Sequence, residues 1–128
     1  MATEKINDIR KWDEFCSRVI NKTLNQDIKW RDASRTFTRG DSVSPLFSAM
    51  YKTWRILVYR YSYKHYFDEE DFTVSEEVAI ELIDNSGMAI WSLPKVPHRH
   101  RLLDMIQYQN SDAQSLLDAM LSEDDEDA

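Results

Sequence analysis

Apolar residues recur through positions 4–24 at Ile6, Ile9, Trp12, Phe15, Cys16, Val19 and Ile20. From Trp12 onward the steps are i, i+3, i+4, i+7, i+8, the stripe of an amphipathic helix. Thr3 suits the N-cap and Glu4 the first turn. Asn21 and Asn25 offer places to stop. Arg10, Lys11, Asp13, Glu14 and Arg18 are left for water.

After this helix the period drops to two. Positions 27–32 alternate, with Ile28 and Trp30 on one face, and read as a short strand. Residues 35–44 lack a period and hold Gly40, so they read as a loop. Residues 46–51 read as a strand with Phe47, Ala49 and Tyr51 on one face. A helix over 44–54, started by Ser44-Pro45, is the competing reading. Lys52-Thr53 then turns the chain into its most strand-like run, 54–63. Leu57, Tyr59, Tyr61 and Tyr63 share one face of that run, and Ile56, Val58, Arg60 and Ser62 the other. The row with three tyrosines suits a core face whose hydroxyls reach the sheet edge. Positions 68–71 form an acidic loop. Runs 78–83 and 88–93 make a hairpin closed by 84–87, in which Gly87 supplies a positive φ. Pro94 and Pro97 end the sheet.

From His98 the stripe Leu103, Ile106, Asn110, Ala113, Leu117, Met120 returns at steps of three and four, widened by Leu102, Leu116 and Leu121. It is one long helix, or two with Ser111 as a new N-cap. The expected fold is α+β: an N-terminal amphipathic helix, an antiparallel sheet of about four to five strands, and a C-terminal helix, one long or two short, packed on one sheet face. Residues 1–121 make a single domain, and 122–128 an acidic disordered tail.

Composition adds exclusions. Cys16 is the single cysteine, so an internal disulfide is impossible; on the helix stripe it is expected to be buried and inert. Residues 1–8 hold no apolar run of signal-peptide length, and no stretch is apolar enough to span a membrane. A cytoplasmic protein with no membrane association is expected. Two glycines exclude a phosphate-cradling loop, and neither a paired-cysteine zinc motif nor a Gly-x-Ser-x-Gly elbow occurs. Neither catalytic residues nor a metal or cofactor is assigned.

Charge changes the picture most. The net charge of −7 is divided: residues 1–67 carry 13 Lys and Arg against 7 Asp and Glu, while residues 68–128 carry 3 against 16. Asp68, Glu69, Glu70, Asp71, Glu76 and Glu77 head an acidic tract and are the candidate partner-binding residues. If the strands on either side of it pair, Arg55, Arg60 and Lys64 oppose these acids across the ladder. Lys95, His98, Arg99, His100 and Arg101 gather where the last helix begins. Cations there oppose the helix dipole, so they await either acids from elsewhere or an anion bound at free N–H groups. His98 and His100 alone are too few ligands for zinc. Arg31, Arg35 and Arg39, with Phe37 between them, are candidates for nucleic-acid binding. Arg39-Gly40-Asp41 reads as a chance tripeptide. Asn110 on the stripe marks either a helix break or a contact between two chains of a homodimer.

The expected function is that of a small non-enzymatic interaction protein of the regulator, inhibitor or immunity type, binding a protein partner through acidic and aromatic surface. One alternative is a nucleic-acid-associated module that uses the basic half, with the acidic tail as its own competitor. Another is an enzyme or ligand-binding domain for an anion near residues 98–101.

Overall fold

The computed structural model describes residues 8–40 and 42–127, the last four of these as backbone alone. The architecture is α+β, with a helix, a five-stranded antiparallel sheet and two further helices. Helix α1 spans Ile9–Leu24. Its N-cap is Asp8, whose side chain accepts from the N–H groups of Arg10 and Lys11. The expected cap Thr3, with Glu4 and Ile6, lies outside the described residues. The stripe does what its spacing requires: Cys16, Val19, Ile20 and Thr23 are buried and Trp12 and Phe15 pack beside them. The helix stops at Asn25, and Gln26 takes the left-handed turn with φ 62°.

The sheet is a simple meander. Strands β1 (Arg31–Asp32), β2 (Val43–Tyr51), β3 (Trp54–Tyr66), β4 (Phe72–Ile83) and β5 (Ala89–Ser92) lie in chain order, every pair antiparallel. Residues 43–51 are therefore strand, not helix, and Lys52-Thr53 is the tight turn, Lys52 adopting φ 56°. The strand expected over 27–32 is reduced to its last two residues. Ile28 and Trp30 are buried as their alternation demands, yet the Trp30 N–H bonds to the Gln109 side chain instead of a strand. Both central strands are longer than their apolar runs suggested, β3 by three residues and β4 by six.

The sheet has two unlike faces. On one, Phe47, Ala49, Ile56, Val58, Val78 and Ile80 meet α1 and helix α2 (Arg99–Gln109), which contributes Leu102, Leu103 and Ile106. A fully buried aliphatic chain such as Val58 contributes about 1.5–3 kcal/mol. Among the described residues the other face is covered at one end, where the loop 33–40 lays Ala33 and Phe37 on Leu46, Leu57 and Ile83. The tyrosine row follows that gradient: Leu57 is fully buried, Tyr59 and Tyr61 are half-buried, and Tyr63 is exposed. The row is thus core at its root and surface at its tip.

Helix α3 spans Ala113–Asp127. The C-terminal stripe is two helices, broken at Asn110, with the Ser111 hydroxyl accepting the Ala113 N–H as the new cap. Of these two helices, among the described residues, only α2 lies on the sheet. The stripe of α3 (Leu116, Leu117, Met120 and Leu121) faces water. The helix also continues through Asp127, so the expected boundary between domain and disordered tail at residue 122 is not a boundary of secondary structure. Ala, Leu and Met at the start of α3 are strong helix formers, and the acids that follow extend the turn they nucleate.

Candidate functional site

Strands β3 and β4 pair from Arg55↔Ile83 to Tyr66↔Phe72, whereas β2 leaves β3 at Tyr61 and β5 pairs with β4 only at Glu81–Ile83. Ser62 still donates its N–H to the Ser42 carbonyl at 2.9 Å, and the last rungs of the ladder, 63–66 with 72–75, stand beyond the sheet as a two-stranded arm. One face of the arm carries Lys64, Tyr66, Phe72 and Val74; Tyr66 and Phe72 are ring partners at 5.5 Å, and Lys64 caps the Phe72 ring at 4.6 Å. The opposite face carries Tyr61, Tyr63, His65 and Phe67, in ring contact at 6.1 Å and 5.4 Å. These side chains are open to solvent: Tyr66 is 56 % exposed, Phe67 68 % and Val74 63 %. Exposed apolar side chains are thus gathered on one projection of the sheet.

The acidic loop closes the arm, and its residues divide by role. Asp68 accepts the N–H groups of Glu70 and Asp71, both at 2.9 Å, and these bonds hold its carboxyl below the usual range. The Phe67 N–H donates to the Asp71 carbonyl to complete the turn. Asp68 thus shapes the tip, and Glu69, Glu70 and Asp71 are exposed without an ion pair among the described residues. Glu76 is exposed on the arm, 3.7 Å from Arg60.

Glu77 belongs elsewhere. It is 9 % exposed and receives Arg99 Nε at 2.7 Å and Arg99 Nη2 at 3.2 Å, with Lys95 at 3.7 Å and His100 at 3.5 Å. The Arg99 fork, reinforced by the Val78 N–H, pulls its carboxyl down to about 2 against the desolvation that burial imposes. Two groups that the sequence assigned to separate surfaces, Glu77 and the cations of 95–101, are one ion cluster. Asp13 of α1 meets the next cation: it accepts the His98 N–H at 3.0 Å and lies 2.7 Å from His98 Nδ1. The acids that offset this basic helix start therefore come from β4 and α1. Among these five residues, Arg99 is committed inward and Arg101 is exposed.

The three loop arginines are likewise separated. Arg31 and Arg35 are exposed, but Arg39 is pinned to the open sheet face, its Nε 3.0 Å from Glu81 and its Nη2 bonded to the Gly87 carbonyl. Tyr59 donates to the other Glu81 oxygen at 2.6 Å; burial and that carboxylate push its phenol up. Phe37 is buried under Gly87, where its ring receives Arg55 at 5.7 Å, so it offers no stacking platform. A recess of about 570 Å³ beside this network is lined by Arg39, Tyr59, Tyr61, Glu81 and Lys95. Its cations already face Glu81 and Glu77.

Cys16 is fully buried, and desolvation pushes its thiol up to about 12, the state of an inert core side chain. Among the described residues no three His, Cys, Asp or Glu side chains gather to hold a metal, and no helix is long and apolar enough to cross a membrane.

The sequence reading missed Tyr66, Phe67, Phe72 and Val74 as surface. The signal was present: Phe72 and Val74 begin the alternation that β4 continues, but intervening Glu76 and Glu77 hid it behind the acidic tract. No family model matches the chain, and neither a curated protein nor a solved structure matches it.

Proposed function

We propose that this protein is a small non-catalytic interaction protein, of the regulator, inhibitor or immunity type, that seats its β3–β4 arm on a protein partner. The observation that carries the reading is the arm itself: aromatic on both faces, acid at the tip, and standing clear of the sheet. Exposed rings on a short ribbon cost solubility, and a protein keeps them where burial against another molecule repays that cost. The unpaired carboxylates of Glu69, Glu70 and Asp71 select a basic rim around an apolar seat, and they steer the approach from a distance. A nucleic-acid partner fits this end of the molecule poorly, because phosphate would meet carboxylate.

The test is affinity capture with the intact chain beside two variants, Y66S/F67S/F72S and E69Q/E70Q/D71N. The aromatic variant is expected to lose the captured partner, and the acid-neutralised variant to associate more slowly with a weaker salt dependence. All the altered side chains are exposed, so the melting temperature changes little. A partner retained in full by Y66S/F67S/F72S overturns the reading.

A further inference from the structure

Charge in this molecule is sorted along β3. The acidic loop lies beyond Tyr66, and Arg55 lies roughly 36 Å back at the other end of the strand. There the open face of the sheet, the loop 33–40 and the segment after α1 border a recess of about 600 Å³. Lys29, Arg31 and Arg55 line it, together with the hydroxyl residues Thr36 and Ser48. Asp27 is the one acid among its described lining residues, so three cations against one carboxylate leave a surplus of two positive charges.

The register of the sheet brings the two arginines together. Arg31 of β1 pairs with Ser48 of β2, and Arg55 of β3 pairs with Met50 of β2. Ser48 and Met50 are two positions apart, so all four side chains project from one face, the face that carries Leu57. Arg31 and Arg55 therefore flank β2 on a diagonal, roughly 12 Å apart at Cα. Side chains as long as theirs reach one ligand from two sides at that separation.

Exposed cations such as Lys29 and Arg31 are screened by water and need no partner. Arg55 is a different case. It is half-buried, yet its contacts are neutral: Nε lies 3.3 Å from Met50 Sδ, and the guanidinium carbon lies 5.7 Å from the centre of the Phe37 ring. A thioether is only a weak acceptor. Among the described residues none of the three cations forms an ion pair, and the terminal nitrogens of Arg55 donate no hydrogen bond. Arg39 and Arg99 show the contrast, since each is committed to a carboxylate, Glu81 and Glu77. Met50 and Phe37 hold the Arg55 fork in place without neutralising it.

We infer that this recess binds the diphosphate group of a small phosphate compound. Phosphoryl oxygens match the planar fork of arginine, and the hydroxyls of Thr36 and Ser48 supply further donors. The volume lies in the range of small-ligand sites. A single phosphoryl group leaves one member of the diagonal pair unengaged, whereas two linked groups meet both. Phe37 is buried and offers no free face to a base, so recognition rests on the phosphates. The site is separate from the arm and does not depend on its role.

The probe is inorganic pyrophosphate, titrated into the isotope-labelled full chain at about 50 mM salt and followed by NMR of the backbone and arginine N–H groups. Shifts are expected to centre on residues 29–31, 48–50 and 55, and affinity to fall steeply towards about 300 mM salt. Orthophosphate and sulfate are expected to bind at least about tenfold more weakly. K29Q/R31Q, whose altered side chains are exposed, and R55Q are each expected to weaken binding at least about tenfold. R55K, which keeps the charge and loses the fork, restores only part of it. Circular dichroism checks that each variant stays folded. K95Q in the neighbouring recess and Y66S/F67S/F72S on the arm are expected to bind as the parent does, so failure of this inference and failure of the arm's role are separable. Adenosine diphosphate that shifts the same residues assigns the site to organic diphosphates; its exclusion, with pyrophosphate bound, assigns it to free diphosphate. No saturation up to about 10 mM pyrophosphate overturns the inference. So do shifts centred elsewhere, sulfate bound as tightly as pyrophosphate, or full binding by K29Q/R31Q or by folded R55Q. An oligothymidylate that displaces pyrophosphate and spreads its shifts beyond the recess also overturns it, in favour of a nucleic-acid surface.

Discussion

At the scale of single residues, Glu77 is the most informative side chain. Its carboxyl titrates near 4.5 in an unfolded chain and is held at about 2 in the fold by the Arg99 fork and Lys95. A depressed carboxylate stabilises the folded state above the unfolded value and loses that contribution as pH falls through the window down to about 2. The E77Q variant is therefore expected to be less stable than the parent by about 2–3 kcal/mol near neutral pH, because Arg99 stays half-buried without its counter-charge. The gap should narrow progressively as urea melts are taken from pH 5 towards about pH 2. A gap of constant size across that window would show that the charge on Glu77 contributes nothing. Neither half of this cluster was legible as a pair. The sequence places Glu77 among acids and Arg99 among cations 22 positions later, and only the return of the chain past the β4 edge joins them.

At the scale of elements, the strongest local patterns were readable: the stripe of α1, the alternation of β2, the turn at Lys52 and the break at Ser111. What period alone does not reveal is which loop covers a sheet face. The aperiodic stretch 35–44 reads as solvated loop, yet one of its rings, Phe37, is buried beneath Gly87. Gly87 has φ 92°, and a Cβ at that position would lie 2.5 Å from Phe37 Cδ1. Gly40 has φ 99° with nothing within 4 Å of its Cβ position. The two glycines thus separate conformational strain from packing. G40A is expected to cost about 1–2 kcal/mol through the left-handed backbone alone. G87A should cost at least about 1 kcal/mol more, because Phe37 must also leave its seat on Leu46, Leu57 and Ile83. Equal losses in the two melts would mean that Phe37 yields without cost and that the loop is not pinned there.

At the scale of the whole molecule, stability is graded along the central ladder. Near Ile56–Val58 the pair β3–β4 lies between β2 and β5, and its side chains are buried on the helical face and, at Leu57, on the loop face. Past Tyr61 the same ladder loses β2, loses both covering layers, and ends in exposed rings. A two-stranded ribbon without a third strand is marginal in water by itself, so the arm borrows its order from the root and opens independently of it. Native-state hydrogen exchange is expected to resolve this as two classes. The bonded amides of 56–58 and 80–82 should exchange only by global unfolding. Those of 63–66 and 72–75 should exchange by local opening, at least about 100-fold faster and with little denaturant dependence. This gradient is what the proposed role of the arm requires: a rigid root that fixes its direction, and a tip whose rings can adjust to a partner surface and become ordered on it. Binding would then bring the arm amides towards the slow class while leaving the root unchanged. Uniform protection along β3 and β4 in the free protein would instead describe a stiff spike, and the partner would have to match its rings as they stand.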